Sequence, residues 1–271
     1  MTSPRLLVQI QQGIAHVTLN RPDKRNALDL AMFQAIDRVI GQLKRDRSVR
    51  AIILAGAGED FCSGLDIKSV FGNPLTGLQL LWKWLPGNAN LAQRVSVGWR
   101  RLPVPVIAAI HGRCWGGGLQ IALGADYRIA TPEASLSIME AKWGIIPDMG
   151  GTLALRELLP VDVAMRLAST AELLSGNEAQ ALGLLTAVVN DPYAAAQALA
   201  QTFVARSPDS VAAAKRLYHY AWSANARAVL ARETALQWRL LLGANQKIAV
   251  QRAKAQADNQ PEKPYRPRGR W

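Results

Sequence analysis

Cysteine is scarce. Cys62 and Cys114 are the only two in 271 residues, which excludes a disulfide scaffold and fits a reducing compartment, so a cytoplasmic location is expected. No run of about 18 apolar residues occurs, so no membrane-spanning helix is expected. The N-terminal stretch MTSPRLLVQIQQG lacks an apolar core followed by a small-residue cleavage site, and no secretory leader is expected. Histidine is limited to His16, His111 and His219. Neither these nor the cysteines have metal-ligand spacing, so no metal is expected. GRCWGGG does not fit the dinucleotide fingerprint G-x-G-x-x-G, and no G-K-[ST] phosphate loop is present. Acids are outnumbered, 20 against 32 bases, for a net charge of +12. Such a balance suits nucleic acid, an anionic surface or a polyanionic small ligand.

What is present is an ordinary globular composition, 49% hydrophobic and 19% charged, long enough to bury a sizeable core. Leu6 to Ile10 and Ile14 to Leu19 read as a hairpin around Gln11-Gln12-Gly13. From Asn26 the period becomes helical, with Leu28, Met32, Ile36, Val39, Ile40 and Leu43 on one face. Arg50 to Ala55 is a buried strand with a glycine-rich exit. Leu78 to Leu85 and Leu91 to Trp99 read as short helices within a stretch, Phe71 to Arg101, cut by glycine and proline. Ser175 and Glu178 match a capping box, and Gly183 can end the helix they start. Ala187 to Asn190 reads as a last short strand. Ser207-Pro208 opens a helix to about Ser223, followed by one helix from about Ala226 to Gln256. The expected division is a mixed strand–helix body over 1–200, a helical region over 201–257 and a basic, proline-rich, disordered tail over 258–271.

Two segments rhyme. RAIILAGAG leads to CSGLD, and VIAAIHG leads to WGGGLQ, each an apolar strand running into a glycine loop. Two such loops can each present a backbone N–H to one point, which is an oxyanion hole. After the second loop come two acids, Glu140 and Asp148. Nucleophilic catalysis has little support, because Ser63, Cys62 and Cys114 lack a G-x-S-x-G context. Acid–base chemistry beside a charge-stabilising loop pair is the expectation.

Four stretches in order, Asn20 to Leu28 (NRPDKRNAL), Phe61 to Lys68 (FCSGLDIK), His111 to Gly118 (HGRCWGGG) and Ile146 to Thr152 (IPDMGGT), resemble the crotonase superfamily of enoyl-CoA hydratases and isomerases. The resemblance implies a mixed α/β fold, a spiral of ββα turns followed by a helical trimerisation region, in trimers often paired into hexamers. It implies an acyl-CoA substrate and no further cofactor. By position, the N–H groups of Leu65 and Gly117 form the oxyanion hole. Lys24, Arg25, Ala27, Ser63, Asp66, Ile67 and Lys68 fall where CoA is met, and Trp82, Trp84, Trp115 and Trp143 are expected around the acyl chain.

Hydratases of this family use two glutamates, one just after the triple glycine and one at the position of Glu140. The first place here is Gln120. An amide cannot exchange a proton near neutral pH, so Gln120 is expected to orient the thioester or a water. Asp148, eight residues beyond Glu140, is similar to the second carboxylate of dienoyl-CoA isomerases. Double-bond isomerisation is therefore the leading expectation, with hydration, thioester hydrolysis or decarboxylation as alternatives. A different class, RNA binding through Lys44, Arg45, Arg47 and Arg50, rests on a short charge cluster, and nucleic acid is not expected as a partner.

Overall fold

The computed structural model describes residues 4–72 and 74–271. The first three residues of the stretch read for a leader, and residue 73 in the glycine- and proline-cut stretch, lie outside the described residues. Leu6–Gln11 (β1) and Ile14–Leu19 (β2) pair antiparallel across Gln12 and Gly13. Both turn residues are left-handed, with φ of 49° and 80°, the geometry that matches strand twist in a two-residue hairpin. Ala51–Gly56 (β3) and Val106–Ile110 (β4) then add in parallel, one beside the other. Arg113–Trp115 (β5) leaves this sheet for a second, smaller one, whereas Tyr127–Ala130 (β6) extends it alongside β4. Ser135–Ser137 (β7) and Leu174–Ser175 (β8) join β5, and Ala187–Val188 (β9) closes the main sheet beside β6. The main sheet has the order β1-β2-β3-β4-β6-β9 and the smaller sheet β5-β7-β8.

Parallel strands covered on both faces read as unbroken apolar runs, and every residue of β4 is buried. Alternate residues serve different cores. Ile52, Leu54, Val106, Ala108 and Ile110 face one cluster, while Ala51, Ile53, Ile107 and Ala109 face the other. Leu30–Arg45 (α1) supplies the first with Met32, Phe33, Ile36, Val39, Ile40 and Leu43. Its start is Leu30 rather than Asn26, because Arg25 and Asn26 are left-handed and Asp29 caps the helix through Met32 N–H. Ile67–Phe71 (α2), Pro74–Leu81 (α3) and Leu91–Arg100 (α4) follow, α4 with a full capping box of Asn90 and Gln93. Gly117–Leu123 (α5), Thr152–Leu158 (α6), Val161–Thr170 (α7) and Gly176–Ala181 (α8) are short. The Ser175–Glu178 capping box at α8 is present, with Ser175 N–H donating to Glu178 Oε2 at 2.7 Å. Pro192–Val204 (α9) covers the second face through Ala196 and Ala200.

The remainder is Pro208–Ala221 (α10), Ala226–Leu241 (α11) and Ala244–Ala257 (α12). The single long helix expected after Ala226 is two helices. Gly243, at φ −82° and ψ 147°, is extended and starts a new one. The disordered tail is also corrected. Arg268 is only 2% exposed; its N–H donates to Arg47 O at 3.1 Å and its guanidinium to Asp46 O at 3.0 Å. Tyr265 lies beneath the guanidinium of Arg252, 4.6 Å from ring centroid to carbon. Composition counts such a segment as too polar to bury. Hydrogen bonds and arginine–aromatic stacking hold it instead. Among the described residues, no helix is long and apolar enough to cross a membrane.

Candidate active site

Because β3 and β4 are neighbours in register, their exit loops run together. Phe61 N–H donates to His111 O and Cys62 N–H to Arg113 O, both at 2.9 Å, and Trp115 N–H returns to Cys62 O at 3.0 Å. Asp60 pins the pair by accepting from Arg113 N–H at 2.8 Å and from its guanidinium at 3.0 Å. Asn26, fully buried, fixes the preceding turn by donating to Ala57 O and Asp60 O and accepting from Arg21 N–H. A Cβ on Gly64, which has φ of 92°, would stand 2.8 Å from Trp115 O and 3.6 Å from Gly117 N. The two glycine loops therefore meet beside Leu65 and Gly117.

Leu28 occupies the other side of Leu65. Leu28 N–H donates to Gly64 O and Leu28 O accepts from Asp66 N–H, so the Leu65 N–H takes no part in that pairing. Gly117 is the first residue of α5, where N–H groups have no acceptor within the helix. Both residues border one cavity of about 740 Å³. Glu140, Asp148, Ser63, Ile67, Trp115 and Trp143 border it too. Further walls include Phe33, Met139, Ile145, Ile146 and Met149, outside the residues expected there, and Leu80 and Ala92 within the stretch expected beside the acyl chain. The spacing Gly77, Leu80, Leu81 carried a signal for one of them, since positions three and four apart share a helix face.

Glu140 opens a short 3-10 turn, Glu140–Trp143, directly after β7. It is 6% exposed. Burial pushes its carboxyl above the ordinary glutamate value, only partly opposed by a hydrogen bond from Gln120. Its Oε2 is buried with no hydrogen-bond partner among the described residues. Asp148 stands on the loop beyond, open to the cavity, and the apolar wall around it raises its carboxyl as well. Both carboxyls thus hold protons more tightly than free ones do, Asp148 while still exposed at the surface. Cys62 and Cys114 are fully buried; burial pushes the Cys62 thiol up to about 12, so neither is a ready nucleophile.

Other expected positions lie elsewhere. Gln120 does not border the cavity, and its amide meets protein at both ends: Nε2 donates to Glu140 Oε1 at 2.5 Å, and Oε1 accepts from Met149 N–H at 2.9 Å and Gly151 N–H at 3.3 Å. It therefore does not reach the thioester or a water in the cavity. Trp82 and Trp84 are 60% and 86% exposed and form no part of the wall. The reason is local: α3 ends at Leu81, and the tryptophans beyond it pack edge to face on each other at 6.4 Å. Lys24, Arg25 and Lys68 are exposed, and Arg25 O accepts from Ser63 N–H at 3.0 Å. Ala27 is half-buried. Asp66 caps α2 and accepts from Arg21 at 2.8 Å. None of these five borders the cavity itself.

The cavity thus sets two acids beside the two glycine loops that leave β3 and β4. The sequence pattern of the enoyl-CoA hydratase/isomerase family matches residues 9–255, and the chain belongs to that family. It is 33% identical to the (E)-benzylidenesuccinyl-CoA hydratase of Thauera aromatica over 212 residues, 77% of this chain and 80% of that one. It is 34% identical to the carnitinyl-CoA dehydratase of Salmonella enteritidis over 208 residues, 76% of each. Among solved structures, an enoyl-CoA hydratase from Mycobacterium tuberculosis superposes with a TM-score of 0.83 at 27% identity, covering 99% of this chain and all of that one. A putative enoyl-CoA hydratase from Streptomyces coelicolor gives 0.84 at 28%, covering 97% and 96%. The mixed α/β crotonase fold is thereby shown.

Proposed function

We propose that the chain moves a carbon–carbon double bond along the acyl part of a CoA thioester. The reading rests on one observation: Glu140 and Asp148 border the same apolar cavity as Leu65 and Gly117. The thioester oxygen accepts from the N–H groups of Leu65 and Gly117, which lowers the cost of negative charge on it. Glu140 takes a proton from the carbon next to the carbonyl, and the electron pair passes into a dienolate. A proton returns two carbons further along, from Glu140 or from Asp148, so that no proton is gained or lost overall. Lys24 and Arg25, at the end of a 3-10 turn, and Lys68, on α2, are exposed nearby and meet the phosphates of CoA.

Many relatives carry the name hydratase, which favours addition of water to a 2-enoyl thioester as the second reading. Against it stands the amide at Gln120, where that chemistry uses a second acid. The RNA reading has less support. The Arg47 guanidinium donates to Arg268 O at 2.5 Å and that of Arg50 to Val204 O, at the end of α9, at 2.9 Å, so half of that charge cluster is engaged within the chain. Exposed Trp222, Leu230, Trp238 and Leu242 on and beside α11 support assembly into a trimer or hexamer. Incubation with 3-enoyl-, 3,5-dienoyl- and 2-enoyl-CoA, followed by mass and NMR of the products, tests the proposal. Migration of the double bond is expected; rapid hydration of the 2-enoyl thioester without any migration overturns it.

A further inference from the structure

Gln120 is 2% exposed, and the hydrogen bonds around it fix more than its own position. Backbone N–H groups can only donate, so the amide end facing Met149 and Gly151 must be its oxygen. That leaves Nε2 toward Glu140, and an amide NH2 can only donate. Glu140 Oε1 must therefore accept. Oε2 is the oxygen with no partner among the described residues. At its other end, the same amide holds Met149 and Gly151, the residues that follow Asp148. One buried side chain thus touches the first acid and the backbone of the loop that carries the second.

We propose that Gln120 is a positioning residue that anchors Glu140 through Oε1 and sets the Asp148 loop relative to it. The role is to hold two proton-transfer groups in register across the acyl chain. This inference rests on the isomerase reading for its effect on turnover, but not for its effect on Glu140 itself.

Two substitutions separate the parts. Gln120→Met removes both sets of hydrogen bonds at similar volume. Gln120→Glu keeps an acceptor for Met149 and Gly151 but places a carboxylate against Glu140, and one of the two must then hold a proton. With whichever acyl-CoA the wild type isomerises, both variants are expected to lose about 100-fold in kcat, the usual effect of a small misplacement of reacting groups. KM should change less than about threefold, because Gln120 does not border the cavity. The acid limb of the pH–kcat profile should move to higher pH in both, since the charged form of Glu140 loses its donor. A merely structural role would leave that limb in place.

The carboxyl band or carbon resonance of Glu140, assigned by its loss in Glu140→Gln, gives a readout without turnover. Its titration midpoint should rise in Gln120→Met and, for the shared-proton pair, in Gln120→Glu. Unmoved midpoints in folded variants overturn the inference, as does a rise in KM with kcat unchanged. Absence of isomerisation in the wild type would instead overturn the functional reading while the titration still reports on Gln120. If Gln120→Met fails to fold, the Gln120→Glu titration decides alone.

Discussion

Lys215 Nζ lies 2.7 Å from Asp126 Oδ2, an ion pair between α10 and the turn before β6. Their side chains are 6% and 12% exposed. Asp126 also accepts from Val106 N–H at 2.8 Å and meets His219 Nε2 at 2.7 Å, while Lys215 donates to Val104 O at 2.9 Å and Trp99 O at 3.1 Å. The pair fastens the helical region to the start of β4, and hence to the strand that delivers the second glycine loop.

Removing one partner strands the other charge in the interior, which typically costs about 3–5 kcal/mol. Lys215→Met is therefore expected to lower the urea midpoint by that equivalent. Burial alone would raise Asp126, but the charge of Lys215 and hydrogen bonds from His219 and Lys215 outweigh it and hold the carboxyl below its ordinary 3.8. Its stabilisation is present above that value and is lost as pH falls through the depressed one. Acid unfolding of the wild type should thus steepen below pH 3.8, and Lys215→Met should show less of that loss.

Glu140 runs the other way. A carboxyl raised in the folded state destabilises the fold above its raised value, and the cost is relieved as pH falls toward the ordinary 4.5. Glu140→Gln removes the charge while keeping an acceptor for Gln120. It should lose about 10²–10⁴-fold in turnover and yet melt at a higher temperature than wild type at neutral pH. In the wild type, the acid limb of the rate profile should have its midpoint above 4.5. Equal melting temperatures would mean that burial of this carboxylate carries no stability cost.

Most of this site was legible in the sequence because its parts are local. The strand-to-glycine rhyme pointed to two converging loops, the family resemblance placed Leu65 and Gly117 on them, and short loops after apolar runs named Glu140 and Asp148. What was not legible depended on direction. Gln120 follows the triple glycine closely enough to suggest substrate contact, but its place on α5 turns the amide toward Glu140 and the loop at Met149. Trp82 and Trp84 look like pocket walls in composition, and only the end of α3 at Leu81 shows them facing out. The tail failed for a similar reason, since Asp209, far away in sequence, is what holds it.

The triple glycine separates into unequal members. A Cβ on Gly118 would lie 2.4 Å from Cys62 O, a backbone atom of the facing loop. A Cβ on Gly117 would meet Leu28 Cδ1 and Met149 Sδ, each at 2.9 Å. The tips of flexible side chains can give way where a backbone cannot. Gly118→Ala is expected to destabilise by about 1–3 kcal/mol, the usual cost of overpacking, and to lose activity by displacing the loop of Leu65. Gly117→Ala should melt closer to wild type. Calorimetry on the two proteins checks the order, and a reversed order would contradict the packing.

The C-terminal segment gives the last test. Asp209 Oδ1 accepts from Gly269 N–H and from Trp271 Nε1, both at 2.6 Å, and Oδ2 from Asn245 Nδ2 at 2.8 Å. Asn245 in turn accepts from Arg266 N–H at 2.9 Å. The indole of Trp271 lies under the Arg239 guanidinium at 4.1 Å. Asp209→Ala takes away three acceptor contacts at once and leaves Asn245 to hold Arg266 without its own anchor. The tail has little apolar surface with which to compensate. Its amide hydrogens near residues 266–271 should therefore exchange faster, and trypsin should cut after Arg268 and Arg270 before it reaches the body. Asp209→Asn keeps one acceptor and should fall between the two. Because the tail also covers Arg47, its release should expose that guanidinium while leaving the cavity at Glu140 intact. Turnover should then hold within about threefold as the tail is lost, since no residue of 258–271 borders the cavity.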